Sequence, residues 1–581
     1  MINMIQNAKD QVLALTIKAY EAAAAAGTLP AGVTVKANVE IPKDVSNGDY
    51  TTTFAMAAAK AMRKSPRDIA GILLENLDLT GSYFASAEIA GPGFLNFRLA
   101  PKWFADVLAA VESEGAAYGR SSTLQGKKYM VEFVSANPTG PMHMGNARGG
   151  VLGDTLAAVL EAAGAEVWRE FYVNDAGNQI EKFACSLEAR YLQIIHGEDA
   201  IPFPEDGYHG DDIKELAKAF YEQFGEQYKD ADVAQRHEAL AKFGLERNIP
   251  KMKSDLQRYK IEYDQWFFES ELHNSGYVAQ CVQQLTDNGY TYEKDGALWL
   301  HTSRILEENL RKAGKSDKDI AKLDLKDDVL RRANGFYTYF AADIAYHSNK
   351  FAVRGFDKVI NIWGADHHGH VARMKGALDA VGLDGEKLDI VLMQLVRLMK
   401  DGKPVKMSKR TGKAITLTDL LEEIPVDAAR FIFNLREPGS TLDFDLDLAV
   451  EQSSQNPVYY VQYAHARICS ILKNLAAEGI EPKPLESCNL GLLCTGEERE
   501  LLRRLGAMAD EIVEAARFYD PARLTKYAIE VATLFHKFYN ACRVKCDDPS
   551  LMPCRMQLCL AVRTVLRNML CLLKVEAPET M

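Results

Sequence analysis

Apolar positions in the middle of the chain follow two different periods. The run YMVEFV, which begins at Tyr129, predicts a buried strand, and EVWREFYV, which begins at Glu166, predicts another. Between them a polar loop, SANPTGPMHMGN, leads into a helix that ends at Gly164. One face of this helix is apolar and contains Leu152, Leu156, Val159 and Ala163. The order strand, loop, helix, strand predicts a βαβ unit.

Two further apolar runs predict more strands of the same sheet. They are KVINIW (358–363) and DIVLMQLVRL (389–398), with a helix-like stretch between them. Strands that alternate with helices favour a parallel, doubly wound sheet. Residues 195–260 are highly charged and predict a helical insertion. We therefore expect a Rossmann-like α/β domain over residues 125–450.

The first 110 residues have a different pattern. They begin with an Ala-rich helical stretch, and a second helical stretch, AMAAAKAMRKSPRDIAGILLENL, precedes the strand-like alternation of FLNFRLA. This mixture predicts a small α+β module over residues 1–110. The polar stretch from Gly119 to Lys128 then predicts a linker.

Residues 451–581 have a helical period throughout. Four apolar stripes repeat at intervals of three or four residues: Val461 to Leu475, Leu501 to Ala515, Leu524 to Cys542 and Leu558 to Leu572. Such stripes are typical of the core faces of an antiparallel all-α bundle. Phe535 and Phe538 belong to the third stripe, so we expect both side chains to face the core.

The composition indicates a soluble protein of several domains. A chain of 581 residues exceeds the usual size of one domain, and its 47% hydrophobic and 25% charged residues are close to the globular average. The formal net charge of −12 argues against an anionic partner. However, residues 1–110 carry 10 basic and 10 acidic side chains, residues 451–581 carry 16 of each, and the rest carry 42 basic and 54 acidic. The neutral ends therefore permit RNA binding without demonstrating it.

Targeting and cysteine patterns predict a cytoplasmic protein. No basic stretch leads into an apolar core near the N-terminus, and the apolar stretch LCLAVRTVLRNMLCLL contains two arginines, which disfavour membrane insertion. The ten cysteines include no C-x-x-C pair. We therefore expect reduced thiols, not a zinc ribbon or a disulfide framework.

A candidate phosphate site lies where the first predicted loop meets its helix, at His143-Met144-Gly145-Asn146. The start of a helix presents free backbone N–H groups and the positive end of the helix dipole, which suit a phosphate. Gly145 would let a ligand approach the backbone closely, and His143 and Asn146 would donate hydrogen bonds. Alone, this tetrapeptide is weak evidence, because most such matches are a polar loop with an ordinary helix cap.

A second candidate is the basic run KMSKRTGK, which begins at Lys406. Its ammonium groups would neutralise charge on a transferring phosphoryl group and so stabilise the transition state. The plainer interpretation is a solvated loop, as most charge runs are. The chain contains no Walker sequence, G-x-x-x-x-G-K-[ST], so ATP chemistry would need a different phosphate cradle.

Together the two motifs resemble the HIGH-like and KMSK signatures of class I aminoacyl-tRNA synthetases. Within that class the chain is similar to the arginyl-tRNA synthetases of bacterial type, and the similarity extends over nearly its whole length. The stretches that carry it are EFVSANPTGPMHMGNARGG, YVNDAGNQIEKF, FYTYFAADIAYHSNKF, NIWGADHHGH, KMSKRTGK, NPVYYVQYAHARI and VEAPETM.

The resemblance implies specific ATP-binding and catalytic residues. The HIGH-like motif would comprise Ala136, Asn137, Pro138, Thr139, Gly140, Pro141, Met142, His143, Met144, Gly145 and Asn146. The residues that contact ATP would be His143, Gly145, Asn146, Lys406, Met407 and Lys409. The catalytic residues would be His143, Asn146, Lys406, Ser408 and Lys409. In this assignment the two lysines neutralise the α-phosphate and the departing pyrophosphate, and Ser408 fixes the loop.

The resemblance also implies an arginine pocket. Its members would be Glu132, Ser135, Asn137, Tyr339, Asp343, Asp366 and His367. Tyr339 and Asp343 would receive the guanidinium, since a carboxylate accepts two parallel guanidinium hydrogen bonds that an ammonium cannot reproduce. Without the resemblance, Asp343 would be interpreted as a helix-surface carboxylate and Tyr339 as a core residue.

Three histidines in the loop GADHHGH raise the question of a metal. An H-H-x-H sequence without supporting carboxylate or cysteine ligands is weak evidence for one. We therefore expect a substrate contact through Asp366 or His367 and no metal bound by the protein itself.

Asn146 departs from the family, which usually has a second histidine there. An asparagine amide still donates a hydrogen bond, but it is shorter and cannot become cationic. We expect activity to survive, with an altered contribution of this position to phosphate stabilisation.

The implied activity is that of an arginine–tRNA ligase. Arginine would attack the α-phosphorus of ATP to form arginyl-adenylate, and a terminal ribose hydroxyl of the tRNA would then attack the activated carbonyl. Mg2+ would accompany ATP without a dedicated protein cage. As in the family, we expect activation to need bound tRNA, the helical domain (451–581) to bind the anticodon and the N-terminal module to contact the outer corner of the tRNA. We expect a monomer with no membrane partner.

Three alternatives remain open from the residues alone. Another class I synthetase, for cysteine or methionine, would share the phosphate motifs but needs a thiolate-rich or apolar pocket, whereas Asp343 favours a cation. A non-catalytic RNA-binding paralogue would be expected to lose lysines from KMSK or the helical domain, and the sequence retains both. A nucleotide-binding α/β protein unrelated to translation would not explain the two flanking domains.

Overall fold

The computed structural model describes residues 2–405 and 415–581. The chain folds into two compact units, one formed by residues 1–123, 452–518 and 523–581 and the other by residues 124–451 and 519–522. Of the helices described in these ranges, none is long and apolar enough to cross a membrane.

The N-terminal part of the first unit is an α+β module, as the sequence predicts. Its elements are α1 (Met4–Ala25), β1 (Val39–Glu40), β2 (Tyr50–Thr52), α2 (Phe54–Met62), α3 (Pro66–Glu75), β3 (Phe84–Ala90), β4 (Phe94–Leu99) and α4 (Pro101–Glu114). The strands pair antiparallel in the order β1-β2-β4-β3. The second helical stretch predicted here is two helices, because Arg63 adopts the left-handed conformation after α2 and Ser65 caps α3 ahead of Pro66.

The second unit contains the predicted parallel sheet and two smaller sheets. Its strands are β5 (Lys128–Glu132), β6 (Glu166–Val173), β7 (Gln265–Phe268), β8 (Thr291–Lys294), β9 (Ala297–Leu300), β10 (Asp328–Arg331), β11 (Lys358–Gly364), β12 (Leu388–Met393), β13 (Val396–Lys400), β14 (Lys403–Val405) and β15 (Leu442–Asp445). Its first helices are α5 (Met144–Ala162), α6 (Asn178–His196), α7 (Asp211–Phe224), α8 (Val233–Arg258), α9 (Glu269–Asn274), α10 (Tyr277–Asp287) and α11 (Thr302–Lys312). The later helices are α12 (Asp317–Ile320), α13 (Tyr339–Ser348), α14 (His368–Val381), α15 (Leu417–Glu423), α16 (Val426–Phe433) and α17 (Leu446–Val450).

Five strands form the parallel sheet in the order β12-β11-β5-β6-β7. The chain runs outward from β5 through β6 and β7 on one side and through β11 and β12 on the other. The order therefore reverses between β5 and β11, and a doubly wound sheet offers a crevice at the carboxyl ends of the strands at such a point. This topology agrees with the sequence prediction of a Rossmann-like domain.

Two parts of the second unit differ from the prediction. The run DIVLMQLVRL is not one strand, because the chain leaves the parallel sheet after Met393 and β13 pairs instead with β14 and β15. Leu395, in the connection, is 78% exposed, although the hydrophobic run suggested continuous burial. The antiparallel sheet β10-β9-β8 was not predicted. The charged region does form helices, α7 and α8, in the connection between β6 and β7.

The C-terminal part of the first unit is helical, with α18 (Pro457–Ala477), α19 (Gly496–Gly506), α20 (Met508–Phe518), α21 (Ala522–Ala541) and α22 (Leu551–Leu572). The second predicted stripe therefore spans two helices that are separated at Ala507. Phe535 and Phe538 are fully buried, as predicted. This region packs on the N-terminal module within the unit, where the Tyr118 hydroxyl donates to the Leu505 carbonyl oxygen at 3.0 Å.

Candidate active site

The candidate site lies at the carboxyl ends of β5 and β11, where the strand order reverses. A cavity of about 820 Å3 is lined there by most of the HIGH-like loop and by His367 from the loop after β11. A neighbouring cavity of about 640 Å3 is lined by Gly145, Gly364, Asp366 and residues of the β12–β13 connection. Val134, Asn146 and His367 line both. The HIGH-like loop and the GADHHGH loop, which are more than 200 residues apart in the sequence, thus share one crevice.

The backbone turns sharply where it leaves β5. Val134 and Ser135 have φ angles of +68° and +40°, which are uncommon for non-glycine residues and strained for a β-branched one. The Ser135 hydroxyl donates to Glu132 Oε1 at 3.0 Å and accepts from the Tyr172 backbone N–H at 3.2 Å. These two hydrogen bonds hold the turn, which directs the following loop across the mouth of the cavity.

The end of this loop forms the N-terminus of α5. His143 is the N-cap residue, and the Asn146 side-chain oxygen accepts a hydrogen bond from the His143 backbone N–H at 2.9 Å. The oxygen of the Asn146 amide therefore serves the helix cap, and its NH2 group is the part that can donate to a phosphate. A Cβ atom built on Gly145 would meet nothing within 4 Å. The space above this backbone is open to a ligand.

The KMSK residues Lys406, Met407, Ser408 and Lys409 lie outside the described residues. The chain that follows this segment is described and contacts the HIGH-like loop. Thr416 forms an antiparallel bridge with His143, and the Leu417 backbone N–H donates to the Met142 carbonyl at 2.9 Å. The described chain at Thr416 and Leu417 is therefore tied to the helix start that carries the candidate phosphate site.

A second group of predicted residues lies on α13. Tyr339 begins this helix after the cap residue Thr338, and Asp343 follows one turn later on the same face. The Tyr339 ring lies so close to Gly177 that a Cβ there would be 3.2 Å from it. Asp343 Oδ2 lies 3.4 Å from His370 Nε2. The residue of the GADHHGH sequence that reaches Asp343 is thus His370, whereas the sequence suggested a substrate contact through Asp366 or His367.

The environment of Asp343 is rich in carboxylates. The Tyr172 hydroxyl donates to Glu269 Oε2 at 2.9 Å, and burial, followed by the negative charges of Glu269, Asp343 and Glu132, strongly raises the pKa of this hydroxyl. Burial also raises the pKa of Glu269, and Asp343 adds to this effect. Several acidic groups held this close together create a negative potential that favours a cationic ligand.

Glu132 has a buried partner, Lys350, that was not predicted from the sequence. Lys350 Nζ, which is fully buried, lies 2.5 Å from Glu132 Oε2 and 3.3 Å from Asn361 Oδ1. Burial lowers the pKa of Lys350, and the nearby Glu132 partly opposes this change. Asn361 in turn donates to His347 Nε2 at 2.7 Å, and His347 Nδ1 lies 2.8 Å from the Asp343 carbonyl oxygen. This chain of contacts connects Glu132 to the backbone of α13.

Arg148 fixes the other wall of the crevice. Its buried guanidinium donates to the carbonyl oxygens of Gln394, Ser440 and Glu437 at 2.8 to 3.0 Å. Burial lowers the pKa of Arg148 to about 10. These contacts tie α5 to the connection after β12, which lines the smaller cavity.

The structure brings most of the predicted site residues to the crevice. Ser135, Ala136, Asn137, Thr139, Gly140, Pro141, His143, Asn146 and His367 line the larger cavity. Asp366 lines the smaller one, with its side chain 82% exposed and 3.7 Å from His367. Pro138 and Met142 are buried beneath the loop, and Met144 is half-buried. Tyr339 and Asp343 lie on α13, and Tyr339 lines a separate cavity of about 620 Å3 together with Gly177 and Glu269.

Comparisons with known proteins identify three matching family models. They are "Arginyl tRNA synthetase N terminal domain" over residues 13–99, "tRNA synthetases class I (R), catalytic domain" over 107–468 and "DALR anticodon binding domain" over 461–581. The arginine–tRNA ligase of Caldanaerobacter subterraneus subsp. tengcongensis is 52% identical over 581 residues, which is all of both chains. That of Acetivibrio thermocellus is 49% identical over the same length, again all of both chains. The solved arginyl-tRNA synthetase of Thermus thermophilus has a TM-score of 0.71 and 23% identity over 98% of this chain and 99% of its own, which shows a shared fold.

Proposed function

This chain belongs to the arginyl-tRNA synthetase family, and on that premise we propose which of its residues carry the arginine–tRNA ligase reaction. It is a class I aminoacyl-tRNA synthetase whose substrates are arginine, ATP and tRNA. The observation that supports the assignment is the group of acidic side chains near Tyr172, which comprises Glu269, Asp343 and Glu132. A guanidinium needs a carboxylate that it can contact through two N–H groups.

Arginine binds with its guanidinium against Asp343 and Tyr339. The carboxylates around Tyr172 support this orientation because their negative potential would stabilise the guanidinium cation. Glu132, Ser135 and Asn137 receive the other end of the amino acid. Since Glu132 is already paired with Lys350 and Ser135, it contributes a fixed acceptor and little net charge.

ATP binds across the start of α5. The open space over Gly145 and the helix dipole support a phosphate there, with His143 and the amide NH2 of Asn146 as donors. Lys406 and Lys409 neutralise the α-phosphate and the departing pyrophosphate, Met407 contacts ATP and Ser408 fixes the loop. Mg2+ enters with ATP. His367 and Asp366 line the same crevice and contact substrate from the β11 side.

The reaction then needs little covalent chemistry from the protein. The arginine carboxylate attacks the α-phosphorus and pyrophosphate leaves, and a terminal ribose hydroxyl of the tRNA next attacks the carbonyl and AMP leaves. Positioning and charge neutralisation supply the catalysis in both steps. Activation requires bound tRNA, whose anticodon binds the helical region (451–581) and whose outer corner contacts the N-terminal module (1–110). The enzyme acts as a monomer in the cytoplasm.

An apolar or thiolate-rich pocket, which methionine or cysteine would need, finds no support here. The groups around the proposed side-chain pocket are Glu269, Asp343 and His370, and the pocket therefore suits a cation.

Arginine-dependent exchange of pyrophosphate into ATP tests the proposal, measured with and without arginine-specific tRNA. Exchange only when tRNA is present is expected from the proposed coupling. Exchange in both samples would support the ligase activity and exclude the requirement for bound tRNA. Exchange in neither sample, with tRNA still bound, would contradict the proposed catalytic residues.

A further inference from the structure

The helical connection between β6 and β7 contains a polar cluster that the ligase reaction does not use. His237 on α8 lies between two carboxylates of α6: its Nδ1 is 3.1 Å from Glu181 Oε1 and its Nε2 is 2.9 Å from Glu188 Oε2. The His237 side chain is only 11% exposed. Both ring nitrogens of a largely buried imidazole therefore face negative oxygen atoms.

A neutral imidazole cannot satisfy both contacts, because only one of its nitrogens carries a proton. If Nε2 donates to Glu188, the lone pair of Nδ1 points at a Glu181 oxygen that also has only lone pairs to offer. A proton or a metal ion between Nδ1 and Glu181 would relieve this conflict.

The thiol of Cys185 distinguishes these two possibilities. Cys185 follows Glu181 by one helical turn, so that both side chains lie on the same face of α6. The ligand atoms of Glu181, Cys185 and His237 all lie within 4.8 Å of one another. An imidazolium would need only the two carboxylates as partners and no sulfur atom. A sulfur atom beside the same imidazole nitrogen and carboxylate is instead the set that a borderline-soft divalent metal binds.

We propose that Glu181, Cys185 and His237 bind one divalent transition-metal ion, preferentially Zn2+, which joins α6 to α8. Mixed sulfur, nitrogen and oxygen ligands suit Zn2+ and do not suit Mg2+ or Ca2+, which take oxygen ligands. Three protein ligands leave one position for water, in keeping with the exposure of Glu181.

Glu188 contacts the ring nitrogen of His237 that would not bind the metal. A metal-bound histidine usually donates its other N–H to a carboxylate, which fixes the tautomer and the ring orientation. Glu188 is itself held in place, because Arg236 Nε lies 2.6 Å from its Oε1 and the same guanidinium donates to the carbonyl oxygens of Tyr228, Lys229 and Ala231. Glu188 and His237 are therefore already oriented by contacts within the protein, with Nδ1 facing Glu181.

The local charge also favours a cation. The carboxylates of Glu181, Glu188 and Asp206 all lie near the Cys185 thiol. Lys182 is paired with Asp206 at 2.8 Å and so does not neutralise the carboxylates nearest the thiol. The ion that binds here would displace the thiol proton and take over the role of positive partner to these groups.

This site was not predicted from the sequence, from which we expected no metal bound by the protein. Glu181 and Cys185 stand one turn apart on a helix, but His237 lies about fifty residues later, at a spacing that matches no metal motif. Glu181 also lines the cavity that contains Gly177 and Tyr339. The metal would thus stiffen the first turns of α6 next to the proposed arginine pocket.

Cobalt titration of the full-length, metal-stripped enzyme under reducing conditions tests the proposal. Co2+ reports a thiolate ligand through a charge-transfer band and a tetrahedral site through intense visible absorption, and Zn2+ should displace it. We expect one equivalent to bind with both signatures. Cys185→Ser should abolish the charge-transfer band, and Glu181→Gln and Glu188→Gln should each weaken binding by about 10- to 100-fold.

Cys469→Ser is the matched control. Cys469 is also half-buried, and its sulfur lies 3.9 Å from His465 Nδ1, but this thiol belongs to α18. The control should bind Co2+ like the wild type. A charge-transfer band that survives Cys185→Ser, or a wild-type protein that binds no Co2+, would overturn the proposal and leave His237 as a hydrogen-bonding residue between two carboxylates. Glu181 is exposed, so Glu181→Gln keeps the test decisive if Cys185→Ser fails to fold.

Discussion

His370 Nε2 lies 3.4 Å from Asp343 Oδ2, which makes a histidine of α14 the neighbour of the carboxylate proposed to bind the arginine side chain. His370 is itself held between two aromatic rings, with ring centroids 5.5 Å from Trp363 and 5.4 Å from Phe340. One oxygen of Asp343 is therefore oriented by a fixed ring. The side chain is still 37% exposed, so the carboxylate remains accessible to a guanidinium.

Asp343→Asn should selectively impair the use of arginine. The substitution keeps the shape of the side chain and removes the charge that pairs with the guanidinium. Loss of one partner of a hydrogen-bonded charge pair costs about 2–5 kcal/mol, so we expect the KM for arginine to rise by roughly 30-fold or more. The measurement is ATP–pyrophosphate exchange against arginine concentration, together with the Kd for tRNA, which should not change.

Asp287→Asn is the matched control for this variant. Asp287 is an exposed carboxylate at the end of α10, where it accepts a hydrogen bond from Gln283. Its substitution should leave arginine activation unaltered. If Asp343→Asn retained a normal KM for arginine, the guanidinium would have to bind elsewhere and the specificity argument would fail.

Lys409→Ala should slow adenylate formation without weakening tRNA binding. One preorganised positive contact to the developing charge of a transition state is worth roughly 100- to 1,000-fold in rate. Single-turnover formation of arginyl-adenylate measures this directly. Lys403→Ala, which removes an exposed lysine of β14 a few residues earlier, should keep the normal rate. A normal rate for Lys409→Ala would make the KMSK run an ordinary solvated loop.

Gly145→Ala should raise the KM for ATP and leave the protein stable. A Cβ at this position would meet no protein atom within 4 Å, so the methyl group should fit the free enzyme. It would instead occupy the space where a phosphate approaches the start of α5, and we expect at least a tenfold rise in KM, about 1.4 kcal/mol.

Gly71→Ala provides the comparison, because Gly71 also lies within a helix, α3, with nothing within 4 Å of a Cβ. Both substitutions should keep or slightly raise the Tm, since alanine is the better helix former. Only Gly145→Ala should change ATP kinetics. Equal ATP kinetics in the two variants would exclude close approach of a phosphate at Gly145.

Much of the fold was predictable because the hydrophobic periodicity of each helix or strand is contained in a short stretch of sequence. The strands β5, β6 and β11 and the helix α5 follow directly from runs of apolar residues, and their alternation gives the parallel sheet. The consecutive strands β12 and β13 could not be distinguished in this way. One apolar run covers both, including Leu395 between them, although Leu395 is exposed. The choice between one strand and two depends on partners distant in sequence, namely β11 for one and β15 for the other.

The site was predictable where residues form motifs and not where they meet only in three dimensions. His143, Asn146 and Asp343 were assigned from the resemblance, whereas Lys350, Glu269 and the role of His370 were not. Lys350 did carry a signal, because it continues the buried face of α13 four residues after Tyr346, and a charge on such a face requires a buried partner. The identity of that partner, Glu132, is set by the sheet and could not be deduced from spacing.

The ion pair between Lys350 and Glu132 allows structural and catalytic roles to be separated. Both side chains are nearly inaccessible to solvent, at 0% and 8% exposure, and their charged atoms are 2.5 Å apart. Removing one partner of a buried pair leaves an uncompensated charge and typically costs about 3–5 kcal/mol, while removing both is often nearly neutral.

Lys350→Met should therefore lower the Tm clearly, and adding Glu132→Gln should restore at least half of the loss, because glutamine keeps an acceptor for Ser135 without a charge. Calorimetry of the two single variants and the double variant gives the coupling between the positions. Arginine activation should remain poor in the double variant, since Glu132 also contacts the substrate in our proposal. A double variant that recovered both stability and activity would show that Glu132 only balances Lys350, and one that recovered neither would show that the pair does not stabilise the sheet as a unit.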